Sequence, residues 1–130
     1  MSQTSIKLVR PSEGEILKVG PLTLRVQEDG THTGLDNRIA AVTITIPPNT
    51  AGPPQHWHEM HDETFLVTKG TVRFSTDKEH TDAKVGDYVV VPPRSHHTFG
   101  NVSDEEAEMF CTLTPSFYIG KFITFSFFGA

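Results

Sequence analysis

Cysteine is almost missing from this chain. Cys111 stands alone, so no disulfide framework holds the fold, which suits a reducing compartment. Basic runs are missing too. The 11 lysines and arginines are scattered singly against 16 aspartates and glutamates, for a formal charge of -5. That balance argues against nucleic acid or an anionic membrane surface as partner, because each requires a basic patch. No apolar run reaches bilayer-spanning length, and Met1–Lys7 lacks the apolar core of a signal peptide. A cytoplasmic protein is therefore expected. The 130 residues form one domain, 1–130, large enough for a core without disulfides or structural metal.

What the chain has instead is short apolar runs punctuated by turn residues. Leu22, Leu24 and Val26 alternate with Thr23 and Arg25, and Val42, Ile44 and Ile46 alternate with Thr43 and Thr45. Period two marks half-buried strands, and β-branched residues suit the pleated surface. Strands are expected at Glu15–Val19, Leu22–Gln27, Arg38–Ile46, Glu63–Thr68, Thr71–Ser75, Tyr88–Val91, before Asn101, and at Ala107–Leu113. Lys69-Gly70 reads as a tight hairpin turn, with Gly70 supplying a positive φ. Residues 77–82 read as a polar turn. No helix-period stretch precedes the histidine-rich segment, so the fold class is all-β, a sandwich or barrel. The tail beyond Pro115 holds five of the nine phenylalanines. It fits a strand or a helix, and so much aromatic surface needs a cover, read here as a homodimer interface.

The densest chemistry lies in Pro53–Phe65. His56, His58 and Glu63 fall in this run, and His97 follows the break at Pro92-Pro93. In an extended segment His56 and His58 share a face and Trp57 takes the other. Glu63 shares its phase with Phe65 and Val67. Three imidazoles and one carboxylate suit one divalent transition metal ion, with iron, manganese, nickel, copper and zinc all compatible. His61 and Asp62 are neighbouring donors that could substitute. His32 and His80 sit in polar loops and read as solvated, and His96 must face away from His97.

The pattern His56-x-His58-x4-Glu63-x6-Gly70 resembles the first motif of the cupin superfamily, and Gly86-x5-Pro92-x4-His97-x3-Asn101 resembles the second. The two cover about 52–70 and 86–101 in the family's order. The resemblance implies a small antiparallel double-stranded β-helix, the jelly-roll barrel, commonly dimeric, with a metal in its lumen. Two positions depart from the pattern. Arg94 replaces a glycine three residues before His97, which predicts an altered turn and a cationic side chain at the barrel mouth. Thr50 replaces a glycine six before His56, with Gly52 close enough to serve instead.

Fold does not give function. The first reading is a metal-dependent dioxygenase, similar to quercetin-dioxygenase-like small cupins, acting on a small oxygenated aromatic or enol-type substrate. Glu63 doubles as proton acceptor, and Phe65, Val67, Phe74, Tyr88 and Phe99 are the expected pocket residues. The second is a non-oxidative isomerase, cyclase, dehydratase or decarboxylase on the same ligands, with Glu63, His61 or Tyr88 moving protons. The third is a small-molecule-binding module without catalysis.

Overall fold

The computed structural model describes residues 6–32, 38–54 and 61–115. Ten strands run through them: β1 Glu15–Val19, β2 Leu22–Glu28, β3 Ala40–Ile46, β4 Thr50–Ala51, β5 Asp62–Lys69, β6 Thr71–Ser75, β7 His80–Lys84, β8 Tyr88–Val91, β9 Thr98–Asn101 and β10 Ala107–Thr114. They form two antiparallel sheets, one in the order β1-β2-β3-β10-β5-β8 and the other β4-β9-β6-β7. The all-β jelly-roll expectation holds. Among the described residues no helix is long and apolar enough to cross a membrane. The tail, with the homodimer interface read from it, lies outside the described residues, as do His56 and His58.

Alternation builds the core. On β2, Leu22, Leu24 and Val26 are buried while Thr23 and Arg25 are half-exposed, and on β10 Ala107, Met109, Cys111 and Leu113 are buried between half-exposed neighbours. The register stacks these inward residues in rows, with Val42 opposite Cys111 and Cys111 opposite Phe65. Val72 and Phe99 face them from the smaller sheet. Burying a large apolar side chain contributes roughly 1.5–3 kcal/mol, so the shared interior explains why the sheets pack face to face.

Two expectations need correcting. The turn at Gly70 does not make a hairpin: β5 pairs with β10 and β8, whereas β6 pairs with β7 and β9. Phe65 and Val67 on β5 and Val72 on β6 must all reach one interior, so the chain crosses there from one sheet to the other. Gly70 does adopt a positive φ of 69°. A β carbon on it would lie 2.6 Å from the Glu106 carbonyl. The polar stretch near residue 80 is a strand, β7, paired with β6 from Lys84 opposite Thr71 to His80 opposite Ser75. Only Ala83 is buried on this edge strand, so it leaves no apolar alternation to read.

The Thr50 departure has a structural answer. Thr50 pairs with Asn101 in β4, and Gly52 is the residue that the backbone crowds. A β carbon there would fall 2.0 Å from the Phe99 carbonyl oxygen, so glycine is required two residues later than the pattern places it.

Beyond β2 a carboxylate organises the turn. Glu28 accepts the backbone N–H groups of Gly30 and His32 through Oε2, each at 2.8 Å, and the Lys7 ammonium through Oε1 at 2.8 Å. Burial alone would raise this carboxyl, but the Lys7 and backbone hydrogen bonds outweigh it and hold it below its ordinary value. A depressed carboxyl stabilises the fold above its unfolded value of 4.5, and the gain is lost as pH falls through the folded one. Glu28→Gln should therefore lower Tm at neutral pH and bring the variant and parent curves together as the medium is acidified below 4.5. Thermal melts from pH 3 to 7, a range of roughly four units over which these carboxyls titrate, check this. A constant gap at every pH would count against it.

Candidate functional site

Glu63 occupies the second position of β5, in phase with Phe65 and Val67, and the phase carries a carboxylate into the interior. It is 2% exposed. Its register partner on β8 is Val91, and on β10 it is Leu113. His97, 4% exposed, directly precedes β9 and shares the inward phase of Phe99 and Asn101. The chain thus delivers one donor from each sheet. His97 Nε2 and Glu63 Oε1 lie 3.4 Å apart.

The imidazole is oriented from behind. With the Ser95 carbonyl 2.8 Å from Nδ1, that nitrogen is the donor, so a neutral His97 presents the Nε2 lone pair toward Glu63. Burial would depress the His97 imidazole, but the Glu63 hydrogen bond and charge, aided by the Ser95 carbonyl, hold it above its ordinary value. The interior therefore favours a positive charge beside Glu63. The same carboxylate is felt across the barrel: burial first, and then Glu63, push the Cys111 thiol well up. Cys111 stays protonated and inert at neutral pH.

His61 is also buried, at 4%. Its Nδ1 lies 2.5 Å from the Pro115 carbonyl, tying the entry of β5 to the exit of β10. The loop between β8 and β9 holds a further feature. Arg94 has φ 64°, so the turn keeps the left-handed conformation a glycine would supply, contrary to the expected alteration. A side chain in that region costs roughly 1–2 kcal/mol.

A cavity of about 330 Å³ opens between the edge strands β7 and β8, and its lining includes Phe74, Val89, Val91, Ser95 and His97. Phe74 packs on Phe65 and Phe99 with ring centroids 5.2 Å and 6.3 Å away, at tilted angles of 56° and 51°. Of the expected pocket residues, Phe74 and Tyr88 line this cavity, while Phe65 and Phe99 back it from the core. Val67 does not reach it. It is 1% exposed and sits toward the far end of β5 opposite Met109, so it is a core residue. Tyr88 lines the cavity at its rim. It is 61% exposed, paired with Leu66 on the outer face, because Val89 and Val91 take the inward phase of β8. A larger groove of about 740 Å³ runs over the smaller sheet past Arg73, Thr98 and Gly100 and holds neither Glu63 nor His97.

Among the described residues no three His, Cys, Asp or Glu side chains converge, so the described part of the site is a pair. Donor type fits a metal ion: a carboxylate and an imidazole nitrogen face each other where positive charge is favoured. His32, His80 and His96 are exposed, as their settings imply. The sequence carried no sign of the Ser95 and Pro115 carbonyls as partners of His97 and His61.

Known proteins sharpen the picture. A family model for the cupin domain matches residues 42–113. An uncharacterized protein of Methanocaldococcus jannaschii is 21% identical over 102 residues, 78% of this chain and 79% of its own length. Gentisate 1,2 dioxygenase 1 of Aquipseudomonas alcaligenes is 35% identical over 66 residues, which is 51% of this chain but only 18% of that protein. Among solved structures, the polyketide cyclase RemF from Streptomyces resistomycificus superimposes with a TM-score of 0.74 at 18% identity, covering 86% of this chain and 81% of its own. Because the family match runs from within β3 to within β10, the span that holds every strand but β1 and β2 and carries Glu63 and His97, the chain belongs to the cupin superfamily.

Proposed function

We propose that this protein is a metal-dependent oxidoreductase, a dioxygenase acting on a small oxygenated aromatic or enol-type compound. The observation that carries the reading is the buried Glu63–His97 pair, 3.4 Å apart, with His97 on an aromatic-backed cavity. The stretch shared with a gentisate dioxygenase supports the oxidative branch. Glu63 and His97 would hold the ion, together with His56 and His58. When bound, the ion supplies Lewis acidity toward a phenolate or enolate oxygen of the substrate.

The chain's own groups do the rest. The Ser95 carbonyl fixes the His97 ring, so Nε2 is held in place before substrate arrives. Phe65, Phe74 and Phe99 form an apolar wall that suits a ring and excludes water. Glu63 accepts the substrate's hydroxyl proton, as a carboxylate within hydrogen-bond reach of that hydroxyl can.

Oxygen uptake by the metal-loaded protein against a panel of phenolic and enolic compounds tests this. Consumption should accompany turnover, and rates should collapse under strict anaerobiosis. An anaerobic rate equal to the aerobic one would remove the dioxygenase reading and leave a non-oxidative reaction, such as a cyclisation or decarboxylation, on the same residues.

A further inference from the structure

Two consecutive prolines carry the chain from β4 toward the histidine-rich segment. The ladder between β4 and β9 pairs Thr50 with Asn101 and Ala51 with Gly100. It can draw no donor from Pro53 or Pro54, because proline lacks the backbone N–H. Two contacts take over. Gly52 runs so close to β9 that a β carbon on it would fall 2.0 Å from the Phe99 carbonyl oxygen. One residue on, the Thr98 hydroxyl donates to the Pro53 carbonyl. The partners step along both strands together, Ala51 with Gly100, Gly52 with Phe99 and Pro53 with Thr98, so the pairing is extended past the end of the ladder.

Thr98 stands between the two parts of the site. It directly follows His97, half-exposed where His97 is buried, and Pro53 precedes His56 by three residues. The hydroxyl thus ties the lead-in to His56 and His58 onto the strand that starts beside His97, across 45 residues of sequence. The strand itself does not ask for a hydroxyl. Valine is equally β-branched and suits the same pleated surface. We propose that Thr98 is a positioning residue for the metal centre, which sets the entry of the His56–His58 stretch relative to His97. This rests on the reading of His56, His58, Glu63 and His97 as ligands, and it adds the contact that registers the first pair against the last.

Cobalt(II) is the probe, because its visible bands respond to the number and arrangement of its donors. Competition with a chelator gives its affinity for the parent, Thr98→Val, Thr98→Ser and Thr71→Val. Thr98→Val should bind cobalt about tenfold or more weakly, with altered bands, as loss of an outer-shell support implies. Its chelator-treated form should still melt within a few degrees of the parent, since only one hydrogen bond is gone. Thr98→Ser keeps the hydroxyl and should restore both affinity and bands. Thr71→Val makes the same change on β6, opposite Lys84, and should match the parent. Parental affinity and bands in Thr98→Val overturn the proposal. So does a Thr98→Ser no better than Thr98→Val, or a Thr71→Val equally impaired. A Thr98→Val variant that loses its fold without metal also overturns it, because the hydroxyl then serves the fold and not the centre. A parent that binds no cobalt removes the ligand reading and the proposal with it. Binding lost in His97→Ala but untouched in Thr98→Val keeps the ligands and removes Thr98 alone.

Discussion

His97→Ala is expected to leave the purified protein almost without bound metal and without measurable turnover. The substitution removes one of the two described donors and the ring that the Ser95 carbonyl holds in position. Loss of an outer-shell partner alone typically weakens metal binding about 10–100-fold, so loss of a direct ligand should exceed that. The apo protein should suffer as well. Glu63 is 2% exposed, and removing the facing member of a buried charged pair costs about 3–5 kcal/mol unless the carboxyl takes up a proton. Elemental analysis of matched preparations gives the metal result, and denaturant titration of chelator-treated samples gives the stability result. His96→Ala and His32→Ala, both at exposed positions, should keep the parent's metal content. Full metal occupancy in the His97→Ala variant would falsify the assignment.

Asn101→Ala should produce the largest loss of stability of any single polar substitution away from that pair. The side chain is 1% exposed. Its Nδ2 donates toward the carbonyls of Ile46, Pro47 and Glu105 at 3.2, 3.1 and 2.7 Å. Its Oδ1 accepts from the Ser103 backbone N–H at 3.0 Å and the Ser103 hydroxyl at 2.7 Å. One amide thus joins the end of β3, the end of β9 and the turn leading to β10. Alanine takes the donor from the buried Ile46 carbonyl and from the more accessible Pro47 and Glu105 carbonyls. That costs about 1–3 kcal/mol for a group stranded out of water and less where water can replace the donor. A total loss near 3–5 kcal/mol follows, in the range that marks a broken buried network. Asn101→Asp is a sharper probe. It keeps the shape and still accepts from Ser103, but turns an oxygen toward three carbonyls, so it should be at least as damaging as alanine near neutral pH. Ser103→Ala should cost about 1 kcal/mol. Equilibrium unfolding of the three variants ranks them, and a loss below 1 kcal/mol for Asn101→Ala would remove the amide from this role.

The strands that carry apolar alternation were legible because burial itself writes the pattern. Val42, Ile44 and Ile46 could face only one interior, and Glu63 inherited an inward place from its phase with Phe65. His80–Lys84 was illegible for the matching reason, since an edge strand with one buried residue has nothing to alternate. The misread hairpin at Gly70 shows a different limit. A turn residue reports the local backbone, whereas the choice of sheet depends on partners elsewhere in the chain. The phase of Tyr88 was not legible, because an unbroken apolar run such as Tyr88–Val91 gives none, and its neighbour pairing leaves it at the cavity's rim. The anchoring of His97, His61 and Asn101 by carbonyls lay beyond reach, because every residue type carries a carbonyl and its position is known only once the chain has folded.

The centre of the larger sheet has a consequence for the order of events during folding. There β10 lies between β3 and β5, with Met109 opposite both Ile44 and Val67. No hairpin earlier in the chain can substitute for it, so the large sheet closes only once its last strand arrives. Pairings between such distant segments make for slow folding, because the loop-closure entropy must be overcome before the contacts form. On a ribosome, the carboxylate of Glu63 would stay open to solvent until Thr114 had emerged. The Glu63–His97 pair is thus a late product of folding, and a nascent chain short of β10 has no finished interior around it.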